Sequence, residues 1–170
     1  MKSIVIELQR DALNKDTLVT DLLRKAFVVA RKLKINEFEN WISKELEGYS
    51  DNSEIPGYRE IAGEVKGWNP HHGWLPVYIQ DTEMAELFSK RESSQCIAEI
   101  ESLLINKDKD SCFHMPFNHE REQIICKAIN THTQITLETP HTGLVRILNA
   151  VRNIILNWAL KLEEDGVMGE

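Results

Sequence analysis

The chain has 170 residues, 42% of them apolar and 28% charged, and a formal net charge of −7. That composition belongs to a folded globular chain and excludes disorder. The acidic balance argues against a surface dominated by nucleic-acid binding, though not against a local basic patch. No apolar run approaches the roughly 20 residues of a membrane span. Glu7, Arg10 and Asp11 interrupt the N-terminal apolar burst before a signal segment can form. Cys96, Cys112 and Cys126 are odd in number and widely spaced, so reduced thiols and a cytoplasmic protein are expected.

Ser3 can cap a first helix carrying Ile4, Leu8 and Ala12. A second is expected after Asp16 or Thr17, with Leu22, Leu23, Ala26, Phe27, Ala30 and Leu33 at helical spacing. Asn36 is expected to cap a third, with Glu39 completing a capping box, Phe38, Trp41, Ile42 and Leu46 as its buried stripe, and Gly48 ending it. The turn chemistry of residues 50–57 marks a loop. From Tyr58 the period becomes two: Ile61 and Val65 point one way, Glu60, Glu64 and Lys66 the other. Residues 68–73 read as a turn and Trp74 to Gln80 as a returning strand, an edge because Pro76 cannot donate to a ladder.

Asp81 can cap a helix with Met84, Leu87 and Phe88; Lys90 to Ser93 reads as a polar joint. Ile97, Ile100 and Leu104 mark another helix, closed by the charged turn Asn106 to Asp110. Asn118 can cap a helix through Ile124, Ile125, Ala128 and Ile129, and Thr133 to Thr139 alternates as a third strand. From Thr142 to Asp165, Leu144, Leu148, Val151, Ile155, Trp158 and Leu162 form one stripe, widened by Ile147 and Ile154. Arg146, Asn149, Asn153, Asn157 and Lys161 lie opposite. The expected fold is α+β: a helix-rich single domain over residues 1–170, with three N-terminal helices, a small, mainly antiparallel sheet and a long C-terminal amphipathic helix.

Several groups of residues invite a chemical reading. Arg24, Lys25, Arg31, Lys32 and Lys34 give the second helix a basic face that can hold phosphates, or simply a solvated face with cations toward its C-terminus. Trp68 and Trp74 frame His71 and His72 in the most unusual stretch of the chain. It can stack a base or hold a ligand, or be a turn anchored by its indoles. Glu64-Val65-Lys66 places a carboxylate and an amine on one strand face, the tail of a metal-dependent nuclease pattern, with Asp51 as an upstream acid. Cys112, His114, His119 and Cys126 match no compact zinc spacing. Arg152, beside the apolar stripe, needs a carboxylate, with Glu45, Glu60 and Glu64 as candidates. No phosphate-loop, dinucleotide or serine-nucleophile motif occurs.

Several blocks together resemble the AbiTii domain, found at the N-terminus of bacterial abortive-infection proteins. They are Asp21-Leu22-Leu23-Arg24-Lys25-Ala26, Ala30-Arg31-Lys32-Leu33, Phe38, Trp41, Leu46, Gly48-Tyr49, Pro56 and Tyr58-Arg59. Trp68-Asn69-Pro70, Gly73-Trp74, Ala150-Val151-Arg152-Asn153 and Trp158 to Glu163 complete the set, while Lys90 to Thr139 adds little. The resemblance implies a cytosolic, anti-phage setting and carries over no catalytic residue. It implies one domain, either whole or the N-terminal module of a longer protein. The expected function is a non-enzymatic interaction or oligomerisation domain without metal or cofactor, binding a second copy, a partner defence protein or a fused effector module, and no membrane. The alternative is a metal-dependent nucleic-acid-cleaving effector using Glu64, Lys66 and His72. A third reading is nucleic-acid binding without cleavage, through Arg24, Arg31 and Lys32; Trp68, His72 and Trp74 are the further candidate binding residues.

Overall fold

Short-range chemistry starts several helices where the sequence places them. In the computed structural model, which describes residues 2–50, 53–106, 108 and 110–169, α1 spans Ile4–Leu13 and is capped by the Ser3 hydroxyl accepting from the Ile6 amide. Asp81 caps α4 (Thr82–Phe88) by accepting from the Glu83 and Met84 amides, and Asn118 caps α6 (His119–Ile129) through the Arg121 amide. Asp51 and parts of the loops expected at residues 50–53 and 106–110 lie outside the described residues.

The chain divides into two compact units, the first made of Met1–Tyr58, Ser94–Lys107 and Val145–Glu170. It holds α1, α2 (Val19–Lys32), α3 (Asn36–Glu47), α5 (Ile97–Ile105) and residues 145–164 of α7 (His141–Glu164). Leu8, Leu22, Leu23, Phe38 and Ile42 are fully enclosed in its core, together with Ile147, Val151, Ile155 and Ala159 of α7. Each fully enclosed large side chain contributes about 1.5–3 kcal/mol. The polar side expected for the long helix is the exposed one, from Arg146 to Lys161. Trp158 is only half-buried, stacked on Phe38 with centroids 4.8 Å apart.

Two helix starts in this unit differ from expectation. Asn36 is the first residue of α3 and makes no cap; Ile35 occupies that place, and Glu39 pairs with Arg31 at 2.8 Å instead of closing a capping box. The reason lies in the preceding turn. The Ile35 amide donates to Ala30 O and the Lys34 amide to Arg31 O around Lys34 at φ 57°, a Schellman closure of α2 that already uses this backbone. At the start of α2, Leu18 has no capping side chain. Its place is filled from α5, where the Glu101 carboxylate accepts from the Val19 amide (2.6 Å), the Thr20 amide (3.1 Å) and the Thr20 hydroxyl (2.6 Å).

Arg152 also differs. Its guanidinium donates to the carbonyls of Ala12 (3.4 Å), Asn14 (3.0 Å) and Thr17 (2.5 Å), not to Glu45, Glu60 or Glu64. It thereby ties the C-terminus of α1 to the turn that leads into α2.

The second unit comprises Arg59–Ser93 and Asp108–Leu144. The single long strand expected from Tyr58 is broken at Gly63. Its first part, β1 (Glu60–Ala62), pairs with β4 (Lys90–Glu92), the stretch expected to be a polar joint. Its second part, β2 (Glu64–Asn69), enters a four-stranded antiparallel sheet of order β3-β2-β6-β5, with β3 (Gly73–Pro76), β6 (Ile135–Pro140) and β5 (Cys112–Pro116). A Cβ at Gly63 would stand 2.5 Å from Glu138 O, so only glycine fits at the break. β3 is an edge, as Pro76 requires, and it stops at that proline instead of running on to Gln80. One face of the sheet packs Val65, Ile135 and Leu137 against Ile125 and Cys126 of α6 and Phe88 of α4.

Candidate functional site

Strand alternation puts the polar and aromatic residues of the second unit on the other face of that sheet. Residues directly opposite one another in an antiparallel pair share a face. Trp68 lies opposite Trp74, Lys66 opposite Thr136 and Pro76, and Glu138 opposite both Glu64 and His114. Trp68 and Trp74 meet edge to face with centroids 5.3 Å apart, and Trp68 is 44% exposed. Trp74 also reaches His114, at 5.4 Å between centroids. These two side chains start from the outer strands, β3 and β5. Their rings meet over the face between those strands. Thr136, on β6 between them, is 1% exposed, and its hydroxyl has no hydrogen-bond partner among the described residues.

The charges on this face are partly closed on one another. Lys66 Nζ donates to Glu138 Oε1 at 2.9 Å, and His114 Nε2 lies 3.8 Å from Glu138 Oε2. The hydrogen bond to Glu138 holds the Lys66 amine above its ordinary range against the opposing effect of desolvation, with further help from the charges of Glu138 and Glu64. Lys66 is thus a persistent cation at neutral pH and no general base. Glu64 is exposed and forms no ion pair with a described residue.

The hairpin turn is ordered by Asn69, whose Oδ1 accepts from the His71 amide (2.8 Å) and the His72 amide (3.1 Å). Both histidines are exposed at its tip. His72 follows the end of β2 remote from Glu64, five strand residues or roughly 17 Å away, so it does not join Glu64 and Lys66. The histidine on this face is His114, 3.8 Å from the Glu138 carboxylate that pairs with Lys66. Sequence reasoning does not find His114, Glu138 and Thr136 as members of the face. Glu138 and Thr136 are visible there only as the polar half of an alternating strand.

The basic residues belong to the first unit, and most are neutralised locally. Arg24 pairs with Asp21 at 3.6 Å, Lys25 with Asp11 at 2.5 Å, and Arg31 with Glu39 while also standing over the Phe27 ring. Lys32 is exposed. Cys126 is packed in the core of the second unit with its Sγ toward Thr133 O at 3.3 Å, whereas Cys112 is exposed on the open face. Among the described residues no group of three His, Cys, Asp or Glu side chains is placed to hold a metal ion.

A second titratable cluster lies inside the first unit. Glu45, with no exposed surface, accepts from the hydroxyls of Tyr49 (2.7 Å) and Tyr58, while Trp41 Nε1 donates to Tyr58 at 3.0 Å. Burial, together with the Glu45 charge and hydrogen bond, pushes the Tyr58 phenol up to about 12. Tyr49 is raised further by the same causes, burial first. Through these two phenols Glu45 ties α3 to the segment that follows it.

The AbiTii family model matches residues 3–170. The chain belongs to the AbiTii family. Its setting is therefore abortive infection, the bacterial defence against phage. Nothing among the curated proteins or the solved structures matches it. Among the described residues of this AbiTii chain, no helix is long and apolar enough to cross a membrane.

Proposed function

We propose that this AbiTii chain serves phage defence as a non-enzymatic interaction domain in the cytoplasm, joining a second copy of itself or a companion defence protein. The observation that carries this reading is the exposed Trp68 against Trp74 on an open sheet face. The two indoles adjoin to make an apolar patch, and tryptophan is among the residues most enriched at the energetic centres of protein interfaces. Light scattering coupled to gel filtration, on the chain alone and mixed with the products of neighbouring genes, tests it. An oligomer or a stable complex is expected. A monomer at every concentration that forms no complex refutes it.

A second reading has one observation in its favour. Glu64 stands in register with Glu138 on the adjacent strand, with Lys66 beside both. Two carboxylates and a lysine on neighbouring strands are the parts a metal-dependent nuclease uses. Incubation with RNA and DNA in Mg²⁺ or Mn²⁺ decides it: unchanged substrate, or cleavage that survives Glu64→Ala, removes the idea.

A further inference from the structure

We propose that the open face of the four-stranded sheet docks an extended protein segment carrying two cationic side chains four residues apart, one over Trp68 and one at Glu64. The inference rests on the interaction reading and names the surface and the partner chemistry. Trp68 and Glu64 are the exposed ends of one row on β2, with Lys66 and the Trp74–His114 ring pair between them. Four residues of strand span about 13 Å and return a side chain to the same side, so an extended ligand lying along β2 matches that spacing only at i and i+4.

The chemistry at each end selects a cation. Trp68 offers an exposed indole, on which a guanidinium stacks. Glu64 offers a carboxylate without an ion-pair partner among the described residues. Lys66 does not repel such a ligand, because Glu138 already holds its charge at 2.9 Å. The surroundings agree in sign: the second unit carries seven Lys and Arg against eleven Asp and Glu. That balance favours a basic protein segment and disfavours the phosphates of a nucleic acid. Docking lies on the face and not along the β3 edge, where Pro76 removes a main-chain donor.

The test is fluorescence anisotropy of the full chain with the labelled peptide Arg-Ser-Gly-Ser-Arg, with Arg-Ser-Gly-Arg-Ser, and with an oligouridine. The first peptide is expected to bind best and more weakly as salt rises. Trp68→Ala and Glu64→Gln should each weaken it about three-fold or more, the scale of an exposed cation–π contact or ion pair. Glu64 is exposed, so the melting curve of Glu64→Gln should overlay that of the parent, whereas Trp68→Ala also loses the Trp74 contact and should stay folded while melting a few degrees lower. Equal binding of the two spacings, indifference to both substitutions, or preference for the oligouridine overturns the proposal. If the complex seen by light scattering survives such a result, only this surface is wrong. If the parent chain forms no complex at all, the interaction reading falls with it.

Discussion

Glu101→Ala removes a helix cap that comes from another helix. The residue is 7% exposed and its carboxylate accepts three hydrogen bonds, from the Val19 and Thr20 amides and the Thr20 hydroxyl. An ordinary N-cap lost to alanine costs about 0.5–2 kcal/mol. Here three donors lose their acceptor, and a buried orphan donor costs roughly 1–3 kcal/mol. A groove of about 240 Å³ lined by Leu18, Thr20, Glu101 and Ile105 lets water reach the vacated site, which favours the lower end of that range for each donor. The expected loss is therefore about 3 kcal/mol. For a chain of this size that is a fall of roughly 6–12 °C in melting temperature. Glu101→Gln keeps an acceptor and should lose about half as much. Urea denaturation followed by circular dichroism measures the difference, and hydrogen exchange of the Val19 and Thr20 amides locates it. A Glu101→Ala protein within about 0.5 kcal/mol of the parent, with those amides equally protected, would refute the reasoning.

Three further outcomes are expected. Trp158→Ala should cost about 2–3 kcal/mol by urea denaturation, below the value for an enclosed indole, because the ring is half-buried and stacks on Phe38. Gly63→Ala places a Cβ 2.5 Å from Glu138 O, a rigid backbone atom, and should destabilise by about 2 kcal/mol or more in the same assay. Tyr58 binds its proton more tightly when folded, so its contribution is whole below pH 10 and is lost as pH rises toward about 12. Tyr58→Phe should therefore flatten the decline in stability between pH 10 and about 12; an unchanged slope in a pH series of melts would count against the buried Glu45 cluster as its cause.

What the sequence alone determined is local. The caps at Ser3, Asp81 and Asn118, the stripe of the long helix and the edge character of the Pro76 strand act within one turn or along one strand, so they are legible without a partner. The AbiTii blocks are legible for the same reason, as short runs of fixed residues. Tertiary structure decided the rest. Cys112–Pro116 is five residues long and becomes a strand only because β6 lies beside it. Glu101 and Arg152 serve backbone groups 81 or more and 135 or more positions away, beyond any local pattern. Gly63 divides one alternating run between two sheets because Glu138 O leaves no room for a side chain. The candidate site is the clearest case: Trp68, Trp74, His114, Thr136 and Glu138 share a face through the register of four strands, and register is a property of pairs.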